Sequence, residues 1–466
     1  MLWPAKNLGV AVRQLGFVLL VLTVAAGTGA ATEPPRPFIC MYGHHDGKGV
    51  TEAFRKLVPR ITVIEGTSRN AAFIKELRGK KCLYAAHVNN PPKATADRLV
   101  GMWRAPFEDD LGGKLPGGYD AIAIDELRQD VDGSAQSGVV CQALDRLRKA
   151  YPQKQIYAAA TWQLGRNARQ HTEQLATVAR CVDVLMLEVY LRESRPTYGY
   201  IPEWAAELEA VQPKLLEKTV YGLGVAQRGY LFDDSPRTSF LAHLDAQFHL
   251  IRNGPRTRRM RGVMFWVYYR SQTTVTPEYL ARLSDHYFRL GLSSRFGDGR
   301  KNQLVGNPQL ETVKGWTLSP GDGQVSLFRY RDVKGIEPDH DSNGWSGHGA
   351  GGLKMTRGTK ANRATTDLVG LDPGRIHVAS AWVQSDKPGR KAGLRILSAR
   401  GRVLASTETS RAGTGSQWDK WTRLLVTFRP DGPRVRLELN DETSSEGTVL
   451  YWDYIEVESA WPAEAK

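Results

Sequence analysis

Between residues 37 and about 270 the chain repeats one pattern eight times: a short apolar run, then a longer stretch of mixed polarity. The runs are residues 37–42, 61–65, 81–88, 119–126, 155–162, 182–190, 219–226 and 262–268. Runs this uniformly apolar suit strands covered on both faces, as in a parallel sheet under helices. The stretches 69–78, 137–150, 170–180 and 239–252 have helical spacing. Eight such units in roughly 250 residues match the size of a closed (β/α)8 barrel. The last unit ends with 277–292, where Pro277 stands at a position that a helix start tolerates. The expectation is an α/β fold, a TIM barrel over residues 37–292, acting as the catalytic domain.

After Leu292 the texture changes. Residues 293–303 are short, polar and Gly-containing, which suits a linker. From 304 onward helical periodicity is lost, and short alternating segments follow at 324–330, 375–384, 392–397, 422–429, 434–439 and 448–457. Turn signals such as Asp372-Pro373-Gly374 separate them. Regular short strands of this kind indicate an all-β sandwich or jelly roll over residues 304–459. With 466 residues, two cores are expected rather than one.

The first thirty-one residues point to export. Lys6 and Arg13 precede the apolar run 16–26, and Thr28-Gly29-Ala30-Ala31 offers small residues for cleavage, so residues 1–31 read as a signal peptide. A secreted, periplasmic or otherwise extracellular protein follows, and no later stretch is apolar and long enough to span a membrane. The four cysteines, Cys40, Cys82, Cys141 and Cys181, lack zinc-ligand spacing, and most fall in or beside apolar runs that suit structural thiols. The formal charge of +14 and pI near 9.5 favour acidic partners, although a basic solvated surface fits the same numbers. Export and the absence of a recognised motif argue against nucleic acid. An anionic polysaccharide remains in play.

Active sites on such barrels lie at the carboxyl ends of the strands. There the sequence places Tyr42 and His44, Glu65, His87 and Asn89, Asp125 and Glu126, Trp162, Glu188 and Tyr190, Gln227, and Trp266 with Tyr268. Asp125, Glu126 and Glu188 follow directly on apolar runs, where desolvation lifts a carboxyl toward the range of a general acid. Two carboxylates from different strands are what glycoside hydrolysis employs. Strand alternation sets Asp125 with Ala121 and Ala123, and Glu126 with Ile122 and Ile124, and either set suits the interior. A helix cap at Glu126 and a buried ion pair at Glu188 are the plain structural readings. The aromatic residues suit stacking on sugar rings or simple packing. His44, His45 and His87 with Glu65 or Asp125 lack the helical spacing of a metal site, so neither metal nor cofactor is expected.

The run Gly118-Tyr119-Asp120-Ala121-Ile122-Ala123-Ile124-Asp125 resembles the fourth strand of the endo-polygalactosaminidase and spherulin-4-like glycosidases. Asp183-Val184-Leu185-Met186-Leu187-Glu188 is similar to a later strand of that group. The resemblance implies that Asp125 and Glu188 are the catalytic carboxylates, with Glu126 as the substitute. The chitinase-like pattern fits less well, because the position of its essential Glu holds Leu127. In the second half, Gly306-Asn307-Pro308-Gln309-Leu310-Glu311, Trp316, Val378–Val383, Trp418–Thr422 and Tyr451–Val457 resemble carbohydrate-binding modules of the galactose-binding-like, family 4/9 type. Of Trp316, Trp345, Trp382, Trp418 and Trp452, the Trp345 of a Gly-rich loop is the expected exposed sugar platform. The combined expectation is a secreted hydrolase of a polysaccharide or oligosaccharide. The alternatives are a non-catalytic glycan-binding protein with a degenerate barrel, or a polysaccharide lyase acting on acidic glycans with His44, His87 or a Tyr as base.

Overall fold

The computed structural model describes residues 38–42, 58–127, 135–161, 164, 167–191, 198–225, 240–266, 277–297, 305–308, 310–336, 350–387, 389–412 and 421–462. The expected signal peptide, 1–31, lies outside them, as does part of the expected linker.

Each apolar run forms a strand: β1 Phe38–Tyr42, β2 Val63–Gly66, β3 Leu83–Val88, β4 Ala121–Ile124, β5 Gln155–Thr161, β6 Val184–Glu188, β7 Thr219–Gly224 and β8 Gly262–Trp266. Neighbours pair in parallel and β8 closes on β1, with Tyr42 opposite Trp266. Between strands run helices, of which Ala71–Gly79 and Ala96–Glu108 start on side-chain caps from Asn70 and Thr95. The second buries Leu99, Trp103 and Phe107, a spacing of four that keeps one stripe on the sheet. The expected helix 277–292 is α-helical over Pro277–Ser284 and widens to a π-helical turn at Asp285–Arg289.

Closure forces alternate strand residues into two separate cores. Phe38, Cys40, Val63, Ala85, Ala121, Ala123, Tyr157, Ala159, Val184, Met186, Val220 and Met264 pack together inside the barrel. Ile64, Ile122, Ile124, Leu185, Leu187 and Phe265 instead join the helix residues Leu77, Trp103 and Leu144. Gly262 is required where β8 meets β1, since a Cβ there would stand 1.9 Å from the Phe38 carbonyl oxygen. All four cysteines are free thiols, three of them buried.

The second part is a sandwich of two antiparallel five-stranded sheets. Its strands are β9 Trp316–Ser319, β10 Gln324–Arg329, β11 Gly351–Thr356, β12 Arg363–Val369, β13 Arg375–Ser385, β14 Arg390–Ser398, β15 Val403–Ala412, β16 Thr422–Phe428, β17 Arg434–Asn440 and β18 Val449–Pro462. The sheet orders are β10-β11-β18-β13-β16 and β15-β14-β17-β12-β9. Ala379, Ala381, Leu424, Trp452, Leu394 and Leu437 fill the space between them. The other face of the first sheet is covered as well: Phe328, Val378, Trp382 and Tyr451 are buried in the same continuous core as the barrel's strand–helix layer. Trp316, Trp382 and Trp452 are therefore packing residues, while Trp345 and Trp418 lie outside the described residues.

Asp245, wholly buried on the helix Phe240–Asn253, ties down the segment that leaves the barrel. Its oxygens accept from the Tyr287 hydroxyl, from Arg295 Nε at 2.6 Å, and from the backbone N–H groups of Phe296 at 3.1 Å and Gly297 at 3.3 Å. Removing one member of a buried charged network leaves its partners uncompensated. Asp245→Ala should therefore lower stability by about 3 kcal/mol in chemical denaturation. A loss under about 0.5 kcal/mol, the size of an ordinary surface change, would show that the staple carries no weight.

Candidate active site

The inward parity of the strands selects the site. On β4 the inward residues are Ala121 and Ala123, so the next inward position is Asp125, while Ile122 and Ile124 face the helices. By the same rule Val63 leads to Glu65, Ala85 to His87, Met186 to Glu188, Cys40 to Tyr42 and Met264 to Trp266. Small residues beneath (Ala85, Ala121, Ala123, Ala159, Gly222) leave room at the mouth for these longer side chains. Gly222 is obligatory: a Cβ there would meet the Leu187 carbonyl oxygen at 2.5 Å and Met264 Cε at 2.8 Å, beside the Cα of Glu188 at 3.3 Å.

Two residues just past the strands take up the left-handed backbone region, Glu126 at φ 38° and Tyr190 at φ 40°. Non-glycine residues there store strain, which the surroundings must hold in place. Around Glu126, Asp125 N–H donates to the Val88 carbonyl at 2.8 Å, Leu127 N–H to that of Ala159 at 2.6 Å, and Asn90 Nδ2 to that of Glu126 at 3.3 Å. Tyr190 N–H reaches the Gly222 carbonyl at 3.3 Å.

The side chains form a linked set. The Tyr42 hydroxyl donates to Asp125 Oδ1 in a short hydrogen bond. His87 Nε2 stands 3.8 Å from Asp125 Oδ2 and 3.3 Å from Asn89 Oδ1, and its Nδ1 meets Glu65 Oε1 at 2.6 Å. The Tyr190 hydroxyl donates to Glu188 Oε1 at 3.1 Å, and its ring lies 5.6 Å from that of Trp266. Glu65 is sealed from solvent, whereas the Asp125 side chain is 31% exposed.

The electrostatics differ from one carboxylate to the next. Burial, then the charge of Asp125, pushes Glu188 up to about 8 against the Tyr190 hydrogen bond, with Glu126 and Glu65 adding to the rise. For His87, burial opposes the charge, yet the hydrogen bond and charge of Glu65, followed by Asp125, raise it to about 9. Burial and the neighbouring carboxylates hold the phenols of Tyr42 and Tyr190 far above their ordinary range, so both act as donors.

Asp125, Glu188, Tyr42, Glu65, His87, Asn89, Tyr190 and Trp266 thus stand at the barrel mouth, with Glu126 beside them on the strained turn. His44, His45, Trp162, Gln227 and Tyr268 lie outside the described residues. Sequence reasoning gave Gly222 no role, although Gly222 and Gly224 in an otherwise apolar strand are a visible sign of close approach. Among the described residues no group of three or more His, Cys, Asp or Glu is arranged to hold a metal ion.

Fold and site together describe an eight-stranded parallel barrel with acidic residues at its mouth, joined to a β-sandwich. No family model matches the chain, and no curated protein matches it. Solved structures that it resembles include a GH18 chitinase from Pseudoalteromonas aurantia, 13% identical over 53% of this chain and 99% of that one, with a TM-score of 0.37. Active domain 2 of a thermostable chitinase from Pyrococcus furiosus is 10% identical over 50% and 84%, with a TM-score of 0.34. A carbohydrate-binding module solved with β-1,4-galactotriose is 13% identical over 34% and 99%, with a TM-score of 0.26.

A carboxyl raised from 4.5 to about 8 keeps a proton in the folded chain that the unfolded chain releases. Between those values the native state binds more protons, so stability falls as pH rises through the window. Glu188→Gln cannot release that proton. Its stability relative to the parent should rise from pH 5 to about pH 8 in denaturant titrations and level off above that, and a flat difference across the window would contradict the raised carboxyl.

Proposed function

We propose that the chain is a glycoside hydrolase in which Glu188 is the general acid and Asp125 the base or nucleophile. The observation that carries this reading is the asymmetry between two inward carboxylates of one barrel mouth. Glu188 is set among carboxylates with one phenol donor and holds a proton at neutral pH. Asp125 has the Tyr42 hydroxyl on one oxygen and the His87 ring facing the other. A carboxyl raised to about 8 is matched to giving up a proton near neutral pH. Glu188 would protonate the departing glycosidic oxygen, and Asp125 would attack the sugar or activate water. Trp266 and Tyr190 would lie along the sugar rings.

The lyase alternative has less support. A base must have a free lone pair or a deprotonated oxygen, but His87 is held as the cation by Glu65 and both phenols are held neutral, while His44 lies outside the described residues. With export through residues 1–31, the enzyme would meet its glycan outside the cytoplasm. The sandwich would hold the polymer through surfaces other than its buried aromatic faces.

Glu65 is assigned as a positioning residue: it is sealed from substrate and fixes the His87 ring toward Asp125. Asp125→Asn and Glu188→Gln should each reduce turnover at least ~10²-fold, the usual share of a general acid or base, with the fold intact by circular dichroism. Full turnover in either variant would refute the pair. Glu65→Gln should lower the His87 titration by at least one pH unit in NMR and draw the alkaline limb of activity downward. An unmoved His87 would reduce Glu65 to packing.

A further inference from the structure

β6 ends at Glu188, and two residues later the backbone enters the left-handed region at Tyr190, with φ 40°. Leu191, the next residue, is buried. A buried carbonyl that has left its strand ladder still needs a donor, because nothing else replaces its lost hydration. The Leu191 carbonyl is met by a side chain, Nε2 of His243 at 3.0 Å.

His243 sits on the helix Phe240–Asn253 and is 1% exposed. Its Nδ1 lies 2.7 Å from the Tyr198 hydroxyl. Burial pushes the imidazole down to about 4, so at neutral pH the ring is uncharged and carries one hydrogen. A carbonyl only accepts, so that hydrogen must be on Nε2, and the bare Nδ1 accepts from Tyr198. One ring thus fixes two points of the chain, Leu191 and Tyr198.

A second side chain of the same helix serves the other flank of Tyr190. Gln247, also buried, stands one turn further on, and its Nε2 donates to the His243 carbonyl at 3.4 Å. Its Oε1 accepts from the Tyr221 hydroxyl at 3.4 Å. Tyr221 precedes Gly222 on β7, and the Gly222 carbonyl accepts the Tyr190 N–H at 3.3 Å. Elsewhere this helix buries Leu241, Leu244, Phe248 and Ile251. Two polar side chains among them are unfavourable unless their hydrogen bonds are made, and here those bonds lead to either side of Tyr190. The Tyr190 hydroxyl in turn donates to Glu188 Oε1 at 3.1 Å. We infer that His243 is a positioning residue of the barrel mouth: through the Leu191 carbonyl it fixes the turn that aims the Tyr190 hydroxyl at Glu188. This role does not depend on the hydrolase reading, since it is read from the state of Glu188 and not from turnover.

The test follows the Glu188 carboxyl of the full chain by carbon NMR. The Tyr190 hydrogen bond works against the rise of Glu188, so releasing it should push that titration higher still. His243→Leu, which has no donor, should raise it by about one pH unit. His243→Gln, whose amide N–H can still donate to the Leu191 carbonyl, should leave it where it stands in the unaltered chain. In a Tyr190→Phe background His243→Leu should add nothing, because the bond through which it acts is already gone. An unmoved titration in His243→Leu, an equal shift in His243→Gln, or the full shift repeated in the Tyr190→Phe background would each overturn the role. Should His243→Leu fail to fold, the unaltered chain decides the matter. Nitrogen NMR near neutral pH should find an uncharged His243 ring with its hydrogen on Nε2. A hydrogen on Nδ1 alone would leave the Leu191 carbonyl without this donor and overturn the role equally.

Discussion

Sheet closure is the constraint from which the rest follows. Once eight parallel strands meet edge to edge, each strand residue points either into the barrel or toward the helices, and a shift by one residue would exchange the two sets. The interior is filled unevenly. At the amino-terminal end Phe38 meets Tyr157 edge-on at 5.6 Å, and Arg261 lies over the Phe38 ring at 5.1 Å. Toward the other end alanines and Gly222 replace the large side chains. The volume they leave is what Tyr42, Glu65, His87, Asp125 and Glu188 occupy. Packing thus confines the polar residues to one end, and β3, β4 and β6 place His87, Asp125 and Glu188 there by alternation alone.

Confinement then does the electrostatic work. A carboxyl that is moved out of water costs less as the neutral acid, and a second carboxylate nearby reinforces that choice. Glu188 receives both influences. Asp125 is more open to water and has the His87 ring beside it. Glu65 has a dual effect: it secures the cation on His87, and its own charge adds to the pressure on Glu188. The strained backbone at Glu126 and Tyr190 sits on the two segments that carry this pair. Those segments are held by ladder-like bonds to Val88, Ala159 and Gly222. Strain that is fixed on both sides of a site indicates geometry maintained against local preference.

Much of this was legible in the sequence. All eight barrel strands stood out because strands buried on both faces must be apolar throughout, and the strand-end residues could then be read off in order. The direction of Asp125 could not be read. Ala121 and Ala123 are small and Ile122 and Ile124 bulky, and only closure shows that the small set is inside. The helix Ala96–Glu108 was obscured by Gly101 and Pro106, which weaken the periodic signal. In the sandwich, β9, β11, β12 and β15 escaped notice: β11 opens on Gly351 and Gly352, and the others carry threonine, serine and charged residues rather than a clear apolar set. Arg363–Val369, for instance, buries only Ala364, Thr366 and Leu368. The covered outer face around Trp382 was also beyond reach, since burial on that side comes from residues distant in sequence.

The charge of +14 and the acidic site call for different explanations because they act over different distances. Surface lysines and arginines are screened over about 8 Å at physiological ionic strength, so they influence how a polymer approaches and where the protein lingers. Several of the described arginines are neutralised in place, as in Arg148 with Asp183 at 2.6 Å and Arg259 with Glu217 at 3.0 Å. At the barrel mouth the operative contacts span only a few ångströms, and burial there reduces screening by water. Within that range carboxylates outnumber the one cation, His87, among the described residues. Net charge therefore acts on association over distance, while burial and short-range contacts at the barrel mouth set the protonation of Glu188 and His87. Net charge read from composition describes the first of these effects and says nothing of the second.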